Sequence, residues 1–264
     1  MDLDRISSCT YPVRERPVAD ALQVMLDAGV RKVDLWGNVP HFSIMSVSCN
    51  LDDLLATAEA KGMTIANLGS YPGRGFASPS PLVRKAEVEA LKTTLYAAKA
   101  LGARSIRVLP GQGEDPALIP QLAEGFSAAT ELAAELQVYM GMENHAGSIA
   151  GNPEDVRRLC EAVGSTYFGI LYEPANLMHR GVDYKEAFHV FHQHIVHIHV
   201  KDGIIADKGF QRTHLGEGEI DYSWVIASLE SLGYTGDYAL EYEICDIEAI
   251  ETGLPRWVDY FTSL

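Results

Sequence analysis

Four times in the second half of the chain an apolar run stops abruptly on polar groups: VYMGMENHAG (138–147), FGILYEPAN (168–176), VHIHVKDG (196–203) and YALEYE (238–243). The runs are short and rich in Val, Ile, Tyr and Met, which suits buried strands better than helices. A buried strand that ends on Glu, His or Asn delivers those groups to whatever lies at its C-terminal end. Four such endings call for a scaffold that gathers them.

The rest of the chain supplies one. ISSCTY (6–11) is strand-like, and a helical segment over 19–29 follows, with Pro17 at its start and Gly29 at its end. RKVDLWG (31–37) is a strand. LDDLLATAEAKG (51–62) is a helix with Asn50 as N-cap and Gly62 just past its end. MTIANLGSYPG (63–73) is the third strand, a long helix covers 82–102, and ARSIRVLPGQG (103–113) is the fourth strand and its loop. Asp115–Pro116 caps a helix to about Gln137, the fifth strand follows, and Asn152–Pro153 starts the next helix. Strand six is 168–173, a helix runs from about Asp183 to His194, and strand seven is 195–200. Asp221 caps YSWVIASLESLG, strand eight is 238–243, and a helix covers 247–263. Eight strand-then-helix units imply an α/β protein with a parallel sheet closed into a single (β/α)8 TIM barrel, one domain over residues 1–264. An open doubly wound sheet fits less well, because no GxGxxG follows the first strand and the polar endings are spread over many strands.

The formal net charge of −15 opposes a phosphate backbone, so no nucleic acid partner is expected. No apolar stretch reaches the ~18 residues of a membrane span, and MDLDRISSCTYP has no apolar signal core. Cys9, Cys49, Cys160 and Cys245 form no CxxC and read as reduced, mostly buried thiols of a cytoplasmic protein.

Barrel enzymes carry their functional groups at the C-terminal ends of the strands. Here those ends hold Glu143, Glu173, His199 and Glu241. With a period of two, His197 and His199 share a face, Glu241 shares one with Glu243, and Glu143 follows Gly141, which leaves room. Three carboxylates and an imidazole make an oxygen-rich set suited to one divalent ion, Mn²⁺ first or Mg²⁺, with Co²⁺ or Zn²⁺ as alternatives. Without a cation the carboxylates would repel one another and take up protons.

ENH after strand five, EPAN after strand six, HIHVKD at strand seven, LGEGEIDY, and the closing GY-TG-YALEYE together resemble the sugar phosphate isomerase/epimerase superfamily, whose barrel is xylose isomerase-like. Its members include ketose 3-epimerases, hydroxypyruvate isomerase, inosose dehydratase and the endonuclease IV group. The resemblance implies that Glu143, Glu173, His199 and Glu241 ligate the metal, with Glu173 where the family usually has Asp. It implies that Glu143 and Glu241 face each other across a sugar or keto-sugar and act as general acid and base. Proton abstraction beside a carbonyl then gives an enediolate and an isomer or epimer. It also admits a lyase or dehydratase acting on a keto-inositol, dehydroshikimate-type compound or 3-keto-glycoside, with His145 or His197 as the acid. Endonuclease-type DNA repair would need more histidines and a basic groove. Family members are often dimers or tetramers, which makes a homo-oligomer an open expectation.

Other candidates for substrate contact are His145, Asn176, Lys201, Arg107 and His41, with Trp36 and Phe42 beside His41 in a loop that closes over the site. For Arg107 a barrel-wall salt bridge is the competing expectation, and for Lys201 and Asp202 a surface ion pair. Gly216 and Gly218 read as a backbone turn, since Glu217 and Glu219 oppose a phosphate there. Ile204, Ile205 and Ala206 stand where ketose 3-epimerases carry an arginine, with Arg212 or His214 as substitutes.

Overall fold

The computed structural model describes residues 1–264. Eight parallel strands close into a barrel. They are β1 (Ile6–Cys9), β2 (Lys32–Trp36), β3 (Thr64–Gly69), β4 (Ser105–Val108), β5 (Tyr139–Glu143), β6 (Phe168–Tyr172), β7 (Ile195–Val200) and β10 (Tyr238–Leu240). The hydrogen-bonded order is β1-β10-β7-β6-β5-β4-β3-β2. Two further strands, β8 (Asp202–Ala206) and β9 (Gly209–Thr213), form an antiparallel hairpin outside the barrel. The helices are α1 (Val18–Asp27), α2 (Leu51–Ala60), α3 (Pro81–Leu101), α4 (Ile119–Ser127), α5 (Thr130–Leu136), α6 (Pro153–Val163), α7 (Pro174–His179), α8 (Tyr184–Phe191), α9 (Tyr222–Ser231) and α10 (Ile250–Thr262). No helix is long and apolar enough to cross a membrane.

The chain forms two compact units, Met1–Ala66 with Ile198–Leu264, and Asn67–His197. In the first, β1 pairs with β2 (Cys9 opposite Asp34) and with β10 (Ser8 opposite Leu240), and β10 pairs with β7 (Ala239 opposite His199). Trp257, Tyr222, Tyr238, Tyr242 and Phe261 fill its interior. In the second, β4, β5 and β6 run side by side, with Met142 opposite both Val108 and Ile170. Every residue of β6 is buried, as expected for a strand covered on both faces. Phe168 of β6 packs against Phe126 with its ring tilted, and Phe126 meets Phe76 edge-on.

The capping residues behave as their chemistry requires. Asn50, Asp115, Asn152, Asp183 and Asp221 each accept hydrogen bonds from backbone amides of the first turn that follows.

Four details depart from the sequence expectation. The helix expected over 116–137 is a 3-10 turn followed by α4 and α5; at the break the Ala129 amide bonds Phe126 O, three residues back, and Thr130 donates its hydroxyl to Ser127 O. The helix expected to reach His194 ends at Phe191, with a 3-10 turn over His192–His194. Strand eight stops at Leu240 rather than 243, although the Glu241 amide still bonds Val200 O at 2.9 Å. Finally, α7 after Glu173 and the β8–β9 hairpin are elements that the alternation of eight strands and helices does not include. Pro174 at the first helical position starts α7, and a tight turn at Asp207–Lys208, followed by Gly209 at φ 98°, joins the hairpin strands.

Candidate metal centre and active site

In the unit Asn67–His197, β5 ends on Glu143 and the residue after β6 is Glu173; they are 5% and 0% exposed. Carboxylate oxygens of the two lie within 4.8 Å of each other. Asn144 fixes this spacing. Its Oδ1 accepts from the Glu173 amide at 2.7 Å and its Nδ2 donates to the Glu173 carbonyl at 2.8 Å, so the side chain continues the β5–β6 ladder past the end of the strands. Asn176, one turn into α7, donates to Glu173 Oε2 at 2.7 Å. Arg107 of β4 donates to Glu143 Oε2 at 3.1 Å, and its other guanidinium nitrogens reach the carbonyls of Ser70 and Gly69. The Arg107 guanidinium lies 4.4 Å from the Tyr71 ring centre, and that of Arg74 lies 4.6 Å from the same centre. Thus Arg107 makes the barrel-wall ion pair, and Asn176 acts on a carboxylate. His145 is exposed and lines a cavity of about 1060 Å³ with Arg74, Gln112, Ser78 and Ser148. His197 is buried in β7.

In the other unit, His199 sits at the end of β7, 2% exposed, with Nε2 2.9 Å from Asp34 Oδ2 and Nδ1 3.6 Å from Glu241 Oε2. Nε2 donates its proton to Asp34, and Nδ1 faces Glu241. Burial works against a charge on this ring. Neighbouring Cys9, Glu241 and Asp34 work for it and win, so its proton affinity is well above the ordinary histidine range. Burial likewise opposes ionisation of Glu241, but the Lys201 ammonium 2.9 Å away, together with His199, holds that carboxyl below the usual carboxylate range.

Lys201 is buried, and its Nζ bridges Glu241 and Glu243 at 2.9 and 2.8 Å, so the surface-pair expectation for it is corrected. Its backbone amide donates to Tyr222 Oη, and the Tyr222 hydroxyl donates to its carbonyl. Asp202 is buried too. Its carboxylate accepts from the amides of Gly203, Gly216, Gly218 and Ile220, so it is neither a surface ion-pair partner nor open to a ligand. A Cβ on Gly218 would collide with that carboxylate, which explains the glycine and bears out the turn.

His41 is 3% exposed, with Nδ1 2.9 Å from Thr10 Oγ1 and its ring edge-on to Trp36; burial lowers its proton affinity. It anchors its loop. Of the two proposed substitutes for the missing arginine, His214 is engaged by Trp257 Nε1 at 3.2 Å. Arg212 lines a 200 Å³ pocket with Arg14, Tyr11 and Glu243.

Sequence reasoning missed Asp34 and Cys9. Asp34 was visible as a lone carboxylate between Val33 and Leu35 inside a strand. Cys9 occupies the last position of β1, the same kind of strand end that singled out the glutamates. Cys9, Asp34 and His199 form a buried group able to hold an ion, and Glu143 with Glu173 supplies hard oxygen donors.

Known proteins carry the same architecture. Inosose dehydratase of Geobacillus thermodenitrificans is 29% identical over 140 residues, 46% of this chain and 46% of the relative. The chain spans about half the length of the curated relatives it matches. The structure of L-ribulose 3-epimerase superposes with a TM-score of 0.77 at 16% identity, covering 98% of this chain and 93% of that one. The IOLI protein, solved with a zinc atom bound, gives 0.76 at 15% identity, covering 98% and 96%. A family model described as xylose isomerase-like TIM barrel matches residues 22–259, and the chain belongs to that family.

Proposed function

We propose that this chain is an enzyme, a divalent-metal-dependent isomerase or epimerase acting on a small sugar or keto-sugar. The observation that carries the reading is the buried pair Glu143 and Glu173, whose oxygens approach within 4.8 Å; Arg107 offsets one of the two negative charges, and a cation between them would offset the other. Strands β5, β6, β7 and β10 are consecutive in the barrel order, which favours Glu143, Glu173, His199 and Glu241 sharing one ion, Mn²⁺ by donor hardness. The residues fit such an ion: three carboxylates balance its charge, and Asp34 backs the imidazole as second partners of metal-bound histidines commonly do. Held by these residues, a divalent cation would supply Lewis acidity beside a carbonyl.

In this reading the protein groups divide the remaining work. Glu143 and Glu241 are the acid and base; Arg107 pairs with the first, and Lys201 beside the second holds its carboxyl below the usual carboxylate range. A carboxylate held low gives a captured proton back readily, as reprotonation at the neighbouring carbon requires. Asn176 and Asn144 set the direction of Glu173. His145, on the wall of the large cavity, is the substrate contact. Arg107, Lys201 and Asn176 act on substrate through the carboxylates they hold, and His41 through its loop.

Incubation of candidate ketoses with Mn²⁺-loaded protein in D₂O tests this. Deuterium should enter the carbon next to the carbonyl, and Glu143→Gln and Glu241→Gln should lower the rate at least 100-fold, the scale of a lost general base. A broad panel without exchange contradicts the reading. Likeness to inosose dehydratase favours a second outcome, in which the same proton loss is followed by departure of a hydroxyl. The exposed His145 suits the acid for that step better than the buried His197. An enone product in place of an isomer identifies it.

A further inference from the structure

Cys9 ends β1 and pairs in register with Asp34 of β2, and His199 of β7 reaches Asp34 through Nε2. One donor atom from each of the three lies within 4.8 Å of the other two, and none of the side chains is more than 3% exposed. We propose that Cys9, Asp34 and His199 form a second cation site, distinct from the carboxylate-rich one, that takes a soft divalent ion, zinc before manganese. The inference rests on the proposed function only in that both sites use the His199 ring, from opposite edges.

The donor set argues for this choice. Sulfur, imidazole and one carboxylate are zinc-type ligands, and three protein donors leave a fourth position open. Two negative charges, a Cys9 thiolate and the Asp34 carboxylate, balance a divalent ion in an interior that penalises either charge alone. Without an ion, a buried side chain such as Cys9 is least costly as the uncharged thiol. Binding the ion expels that proton to solvent, and the thiolate becomes a ligand.

Occupancy has a consequence for the ring. An ion at Nε2 displaces the Nε2 proton that Asp34 now accepts, and Asp34 turns from acceptor to ligand. Neutral imidazole then carries its proton on Nδ1, where it faces Glu241 Oε2 at 3.6 Å. That nitrogen can no longer ligate on the other side. Zinc and manganese therefore oppose each other through one side chain.

Co²⁺ is the probe. Added to the metal-stripped full-length protein, it should produce a near-ultraviolet thiolate-to-cobalt charge-transfer band. The band should be lost in Cys9→Ser and Asp34→Asn and kept in Glu143→Gln and Cys245→Ser. A band absent from the wild type, or surviving Cys9→Ser, overturns the proposal. Loss in Glu143→Gln also overturns it, because the sulfur would then belong to the carboxylate-rich ion. Zinc X-ray absorption on the wild type needs no variant: one sulfur neighbour per zinc is expected, and a shell of nitrogen and oxygen alone is the contrary result. Neither readout depends on turnover, so a failed exchange assay leaves this site to be judged separately.

Discussion

At the scale of single residues, an ammonium buried beside two carboxylates is the feature with the sharpest energetic consequence. Lys201 bridges Glu241 and Glu243, and removing it leaves a buried charge without its counterion. Lys201→Met should cost the metal-free protein about 3 kcal/mol at pH 7. The sign of the pH dependence follows from Glu241, whose folded carboxyl lies below its ordinary value of 4.5. The unfolded chain then binds more protons than the folded one as pH drops through that region, so the stabilisation is present above about pH 4.5 and fades below it. Lys201→Met removes the depression. The gap in melting temperature between wild type and variant should therefore be widest near neutrality and narrow as pH falls below 4.5. A constant gap would show that Lys201 contributes packing alone.

Among the elements, the segment after β7 shows how one side chain organises a loop. Asp202 collects four backbone amides and pins residues 216–220 against the start of the hairpin. Asp202→Ala should destabilise by about 3 kcal/mol, the scale of several lost charge-assisted bonds, and should raise amide exchange in 214–220 ahead of the barrel strands. Equal protection in variant and wild type would contradict this. The segment also marks where legibility in the sequence ran out. Strand–helix alternation, caps and strand-end carboxylates were readable because each rests on local chemistry: period, an N-cap oxygen, an apolar run that stops. Asp202 stands out in the sequence, but its role does not, because its partners lie up to 18 residues away and are backbone groups, which leave no side-chain signature. Asp34 and Cys9 escaped for the same reason. What gives them meaning is His199, 165 residues beyond Asp34, and only a closed sheet brings those strands near one another. Arg107 was legible as an ion pair in the barrel wall, though its choice of Glu143 was not.

For the whole molecule, we propose that residues 1–264 behave as one cooperative domain even though two compact units can be traced in it. Trp36, Trp224 and Trp257 all belong to the unit Met1–Ala66 with Ile198–Leu264. Tryptophan fluorescence therefore reports that unit, and far-ultraviolet circular dichroism reports the entire chain. Coincident urea transitions by the two probes are the expected result; separated midpoints would mean that the units unfold independently. The net charge of −15 predicts no salt-sensitive shift of duplex DNA, which a gel at low ionic strength checks. The most direct test of the central claim is a Mn²⁺ titration of the metal-stripped protein followed by electron paramagnetic resonance. One ion per chain should bind tightly, and affinity should fall at least tenfold in Glu173→Gln and in Asp34→Asn, as loss of a ligand or of its orienting partner requires. If Mn²⁺ fails to bind stoichiometrically, or binds equally well to both variants, the four strand ends do not share an ion and the proposed chemistry has no centre.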